Sequence, residues 1–126
     1  MVKKLRNINL YSSYVLFASF IISGFCLIKN KEKGDEFLRL SGRANHIYIL
    51  FISILNYIYG IIHMESNLYT LIIRLLMCLS GICSVIGFFY ETGASVDERK
   101  IIPSAIGFAF ISIVLYLIKN DKQKIH

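Results

Sequence analysis

The 126-residue chain has no tryptophan, a single proline and only three cysteines. Those cysteines, Cys26, Cys78 and Cys83, are odd in number, have no CxxC spacing and lie beside no histidine cluster, which argues against a disulfide framework and a zinc module. They read as small packing residues. A nucleophile paired with a base, a glycine-rich phosphate loop and a set of metal ligands are all missing, so neither a catalytic residue nor a metal nor a cofactor is expected. Acidic residues are scarce too, eight against fourteen Lys and Arg, giving a net charge of +6. Such an excess can mark nucleic-acid binding, but here the basic residues sit between and beyond apolar stretches, with no soluble basic module left over. Anionic lipid headgroups are the expected partner, and nucleic acid is not.

What the chain has in abundance is hydrocarbon, with 56% of its residues hydrophobic. Four stretches, at approximately 8–28, 36–62, 68–90 and 101–118, meet or approach the roughly 20 residues needed to cross a hydrocarbon core about 30 Å thick. The expected fold is all-α: a polytopic membrane protein forming an antiparallel four-helix transmembrane bundle, as one domain. Met1 to Asn7 followed by an apolar run has the outline of a signal peptide. The run is long, however, and lacks a small-x-small cleavage site, so the first span is expected to be retained. Bulky Phe25 before Cys26 likewise argues against a lipoprotein.

The expected location is the plasma (inner) membrane of a bacterium, with both termini on one side. Lys and Arg do not decide which side. Lys3, Lys4, Arg6, Arg74, Lys119, Lys122 and Lys124 make seven on the side of the termini, against Lys29, Lys31, Lys33, Arg39, Arg43, Arg99 and Lys100, also seven. The apolar first span behind a basic N-terminus tips the expectation to the cytoplasm.

Three segments read as loops: Lys29 to Asp35, His63 to Asn67, and Glu91 to Lys100. The second is so short that spans two and three must form an antiparallel hairpin. Gly34-Asp35-Glu36 looks like a helix start with acid in its first turn, where it complements the positive end of the helix dipole. Ser95-Val96-Asp97-Glu98 fits a capping box. Pro103 then either kinks a fourth helix begun near Ser95 or sits in the first turn of a helix that restarts later, where its missing amide proton costs nothing.

Read in steps of three and four, span two carries Arg39, Gly42, His46, Ser53, Asn56, Gly60 and His63 near one face. Span three carries Arg74, Cys78, Gly81, Ser84, Gly87 or Phe88, and Glu91. The two stripes are expected to meet. Small-xxx-small spacings at Ser80/Ser84, Cys83/Gly87, Ser19/Ser23 and Ala105/Ala109 fit close helix packing or a homo-oligomer contact. Ser53, Asn56 and Ser84 are the candidate helix–helix polar contacts. Arg39, Arg43, Asn45, His46, Glu91 and Arg99 form the candidate ionisable cluster at the other end, with Arg43 or His46 expected to satisfy Glu91. That cluster reads as an interfacial salt bridge, a proton-handling pair of Glu91 and His46, or an arginine clamp for a lipid phosphate.

His46 and His63 lie on one helix, 17 residues and roughly 25 Å apart, so they do not bracket one haem in a monomer. The four-span plan is similar to that of small multidrug-resistance exporters, whose membrane-embedded first-helix glutamate has no counterpart here. The stretch from Arg39 to His46 resembles the glutathione-binding helix of the MAPEG membrane enzymes, but the glutamate that follows the asparagine there is absent after Asn45. The leading expectation is a non-enzymatic accessory or self-associating subunit, in contact with lipids, with other membrane subunits or with itself. The alternatives are a small oligomeric transporter or channel using the polar face of spans two and three, and an interfacial lipid-handling enzyme.

Overall fold

A computed structural model describes residues 2–29, 36–92 and 95–124. Within them lie four α-helices: α1 (Val2–Lys29), α2 (Glu36–Ile61), α3 (Leu68–Glu91) and α4 (Ile101–Lys124). Each contains a segment long and apolar enough to cross a membrane, Arg6–Lys29, Glu36–Ile61, Leu68–Glu91 and Ile101–Asn120 respectively. Gly34 and Asp35, expected to open α2, lie outside the described residues, as does all of the first loop except Lys29.

Local chemistry accounts for the helix ends. Asn67, with extended backbone, caps α3, its side chain accepting from the Thr70 amide at 2.9 Å. Half of the Ser95 box forms, Ser95 N donating to Glu98 Oε2 at 3.1 Å, while the Glu98 amide donates to the Ser95 backbone carbonyl at 3.1 Å; the pair closes a single 3-10 turn over Val96–Glu98 and does not start α4. Helix α4 begins at Ile101, and of the two sequence readings of Pro103 the one in the first turn is found. The first α-helical bond there runs from Ser104 N to Lys100 O, directly after the proline that has no proton to give.

Helix α1 lies along α2 and also touches α3, α2 packs on α3, and α4 rests mainly on α3. The α1 residues that turn inward are Asn9, Ser13, Leu16 and Ser23, spaced four, three and seven apart on one face. They meet a core of Ile49, Ile52 and Tyr59 from α2 and Ile73, Met77 and Phe88 from α3, with Ala109 of α4 at its edge. Two glycines set the closest approaches. At Gly60 an added Cβ would stand 2.5 Å from Leu10 Cδ2 of α1, and at Gly87 it would run into Ile102 of α4. The outward residues are large and apolar, among them Tyr14, Phe25, Ile47, Leu79 and Phe110.

Candidate functional site

Helix α3 carries two charged residues that are almost wholly buried, Arg74 at 2% exposed near its start and Glu91 at 5% at its end. Neither meets an opposite charge among its hydrogen-bonding partners. Each meets the end of a neighbouring helix, with the sign that suits it.

Arg74 Nη1 donates to the Tyr59 carbonyl at 2.5 Å and to Asn9 Oδ1 at 3.2 Å, and Nη2 donates to the Ile62 carbonyl at 3.2 Å. Those carbonyls belong to the last turn of α2 and the residue beyond it, where carbonyls lack helical donors and the dipole is negative. The guanidinium is therefore a C-terminal cap supplied from another helix. All its acceptors are neutral oxygens, and its Nε makes no hydrogen bond.

Glu91 does the converse for α4. Its Oε1 accepts from the amides of Lys100 at 2.6 Å and Ile101 at 2.5 Å, and its Oε2 accepts from Ile102 at 2.8 Å. A helix start leaves four backbone N–H groups without helical acceptors. Here three go to one carboxylate and the fourth position is Pro103, which has none. The account closes with no donor left over.

Around Arg74 the polar groups of three helices are joined. Asn9 Nδ2 lies 3.1 Å from Asn56 Oδ1 and 3.3 Å from both the Arg74 carbonyl and Cys78 Sγ. Asn56 Nδ2 donates to the Ile52 carbonyl of its own helix at 3.1 Å and to Met77 of α3 at 3.2 Å. Both asparagines are fully buried. Ser53 Oγ donates to the Ser13 carbonyl of α1 at 2.9 Å. Hydroxyls also stitch α3 to α4: Ser80 Oγ to the Ala105 carbonyl, Ser112 Oγ to Ile73 and Tyr69 Oη to Leu115, at 2.7, 2.8 and 3.0 Å. Lys119 Nζ adds a bond to Thr70 Oγ1 at 2.7 Å.

The residues expected to form one ionisable cluster are thus divided. Glu91 is held by backbone amides and is hydrogen-bonded to neither Arg43 nor His46. His46 instead stacks on Phe20 at 4.1 Å, with its Nδ1 2.7 Å from Ser23 Oγ, because both partners are on α1, against which that part of α2 packs. Asn45 Nδ2 donates to Thr92 Oγ1 at 3.1 Å, linking the start of α2 to the end of α3. Arg99 donates to Ser41 Oγ at 2.5 Å and lies 5.4 Å from the centre of the Phe37 ring. Arg39 and Arg43 are exposed. Of the helix–helix candidates, Ser53 and Asn56 do bond across helices, while Ser84 is buried but returns its proton to the Ser80 carbonyl one turn back in its own helix. The partners of Asn56 across helices are Asn9 of α1 and the Met77 carbonyl of α3.

Asn9 was not singled out from the sequence, and Arg74, although placed on the polar stripe of span three, was given no role of its own. Asn9 had a signal, the Asn9, Ser13, Leu16, Ser23 stepping along an otherwise apolar span. Arg74 was counted among the flanking cations, since a basic residue near a span's end ordinarily reaches water. Among the described residues no group of His, Cys, Asp and Glu is arranged to hold a metal ion. No family model matches the chain, and no curated protein or solved structure is detectably similar to it.

Proposed function

We propose that the chain is an integral membrane protein whose four helices cross the bilayer as an antiparallel bundle with both termini on one side, in the plasma membrane of a bacterium, and that it works as a non-enzymatic subunit, accessory to other membrane proteins or associated with itself. The observation that carries this reading is the inward closure of the polar stripe. Asn9, Asn56 and Arg74 bond to one another and to backbone carbonyls, while the outward face is hydrocarbon. Unbonded polar groups are costly in lipid, and this arrangement turns them inside. A polar path through the same face would need Ser53, Asn56 and Glu91 free to meet a substrate, and all three have protein partners. That weighs against the transporter reading.

Alkaline carbonate extraction followed by native mass spectrometry of the gently solubilised, tagged protein tests both halves. Retention in the pellet and a defined complex, with other polypeptides or with copies of the chain, is the expected result. Release by carbonate would overturn the membrane reading. A strict monomer without companions, from every mild detergent tried, would overturn the subunit reading.

A further inference from the structure

A groove of about 450 Å3 opens where α1 ends, α2 begins and α3 ends. Cys26, Leu27, Leu38, Phe88 and Phe89 form its apolar walls, and Thr92 and Arg39 are its polar members. Its size falls in the range of roughly 300–1,000 Å3 typical of sites for small molecules. Arg39, in the first turns of α2, is exposed. Among the described residues no hydrogen bond or ion pair engages it, in contrast to Arg99, which is tied to Ser41. Glu91, the carboxylate expected at this end, is already held by the amides of α4.

The groove thus joins an unneutralised planar cation to a hydrocarbon surface, at the level where the helices leave their apolar segments. The complementary molecule is an amphiphile with an anionic head. A guanidinium matches a phosphodiester through two parallel N–H bonds, and a headgroup with no ammonium of its own leaves that pairing uncontested. We infer that the groove seats one anionic glycerophospholipid, with Arg39 on the phosphate and the upper acyl chain against Leu38, Phe88 and Phe89. The inference rests on the membrane reading above.

The test uses the full chain in mild detergent, supplied with dioleoyl phosphatidylglycerol or dioleoyl phosphatidylcholine, with retained lipid counted by native mass spectrometry. One phosphatidylglycerol should be retained, in preference to phosphatidylcholine by about fivefold, the effect of one basic residue near an anionic surface. Arg39→Gln should erase the preference, and Cys26→Trp, which fills the groove and leaves the charge, should lose the lipid of either kind. Arg39→Lys, keeping charge without the fork, should fall between wild type and Arg39→Gln, and it carries the test if the glutamine variant does not fold. Equal retention by wild type and Arg39→Gln would overturn the inference as merely annular lipid. Displacement of the phosphatidylglycerol by millimolar inorganic phosphate would overturn it in favour of a free-anion site. Protein that carbonate strips from membranes would fail the membrane reading itself, whereas carbonate-resistant protein indifferent to Arg39→Gln fails the lipid seat alone.

Discussion

Glu91→Ala should loosen the start of α4 while leaving the rest of the protein folded. Three amide protons, those of Lys100, Ile101 and Ile102, lose a charged acceptor at a position only 5% exposed. A hydrogen bond to a charged group contributes about 1.5–3 kcal/mol net, and losing a helix cap costs about 0.5–2 kcal/mol. Because one side chain makes all three bonds the terms do not add, and a loss of about 2–4 kcal/mol follows. Glu91→Gln should cost less, about 1–2 kcal/mol: its oxygen can keep Lys100 and Ile101, but its amide nitrogen then confronts the Ile102 N–H, donor against donor. Hydrogen–deuterium exchange of the detergent-solubilised protein reads this locally. A loss of about 2 kcal/mol in the opening free energy raises exchange about thirtyfold, at tenfold per 1.4 kcal/mol. The effect should be confined to peptides covering the 3-10 turn and the first two turns of α4, with the Asn67-capped start of α3 as the internal control. Exchange in Glu91→Ala within threefold of wild type over those peptides would show that the carboxylate does not hold the helix start.

Arg74→Lys should destabilise by about 1–2 kcal/mol in a denaturing-detergent titration, because a compact ammonium does not span the Tyr59 and Ile62 carbonyls together with Asn9; a variant as stable as wild type would deny Arg74 its capping role. Asn9→Leu and Asn56→Leu should each cost about 0.6–2 kcal/mol, and the double variant should cost at least about 0.5 kcal/mol less than the sum, since the two share a bond. Strict additivity would mean that the two side chains act separately. Gly60→Ala should cost about 1–3 kcal/mol, its Cβ meeting the Leu10 side chain and, at 3.2 Å, the Leu10 backbone nitrogen. Gly107→Ala, with nothing within 4 Å of the new carbon, should be neutral or stabilise by up to about 1 kcal/mol of helix propensity. Equal responses of the two glycines to substitution would contradict the packing of α1 on α2.

The four helices were legible because length and hydrophobicity are local properties of the chain. Even so, α4 runs past the apolar stretch to Lys124, since the polar Asn120 and Asp121 end the apolar stretch but cost a helix only a few tenths of a kcal/mol each, about half of what glycine costs. Partners were less legible than elements. The stripe on α2 pointed correctly to Ser53 and Asn56 as inward residues, but it could not show that α1 would face them: between residues 8 and 28 the hydrogen-bonding side chains of α1 other than its tyrosines are Asn9 and four serines, small groups that mark a face only weakly in a largely apolar span. Glu91 stood out as a carboxylate needing a partner, yet the sequence offered side chains only. Backbone amides become candidates once the position of a helix start is known, and the Ser95 box pointed to a start several residues too early. Arg74 illustrates the same limit from the other sign: only the arrival of α2's last turn beside it makes burial of that cation tolerable.

The order in which the helices are tied together also bears on how the chain is made. Asn9, Asn56, Arg74 and Cys78 are all synthesised before α4. A growing chain that has released its first three helices can therefore shelter its buried arginine and both asparagines with no help from the fourth. Glu91 is in the opposite position at that moment: it has left the ribosome, and its acceptor capacity is unmet until Lys100, Ile101 and Ile102 follow, nine to eleven residues later. Completing the protein is then the docking of one late helix onto a finished trio, with a waiting carboxylate marking where that helix must begin.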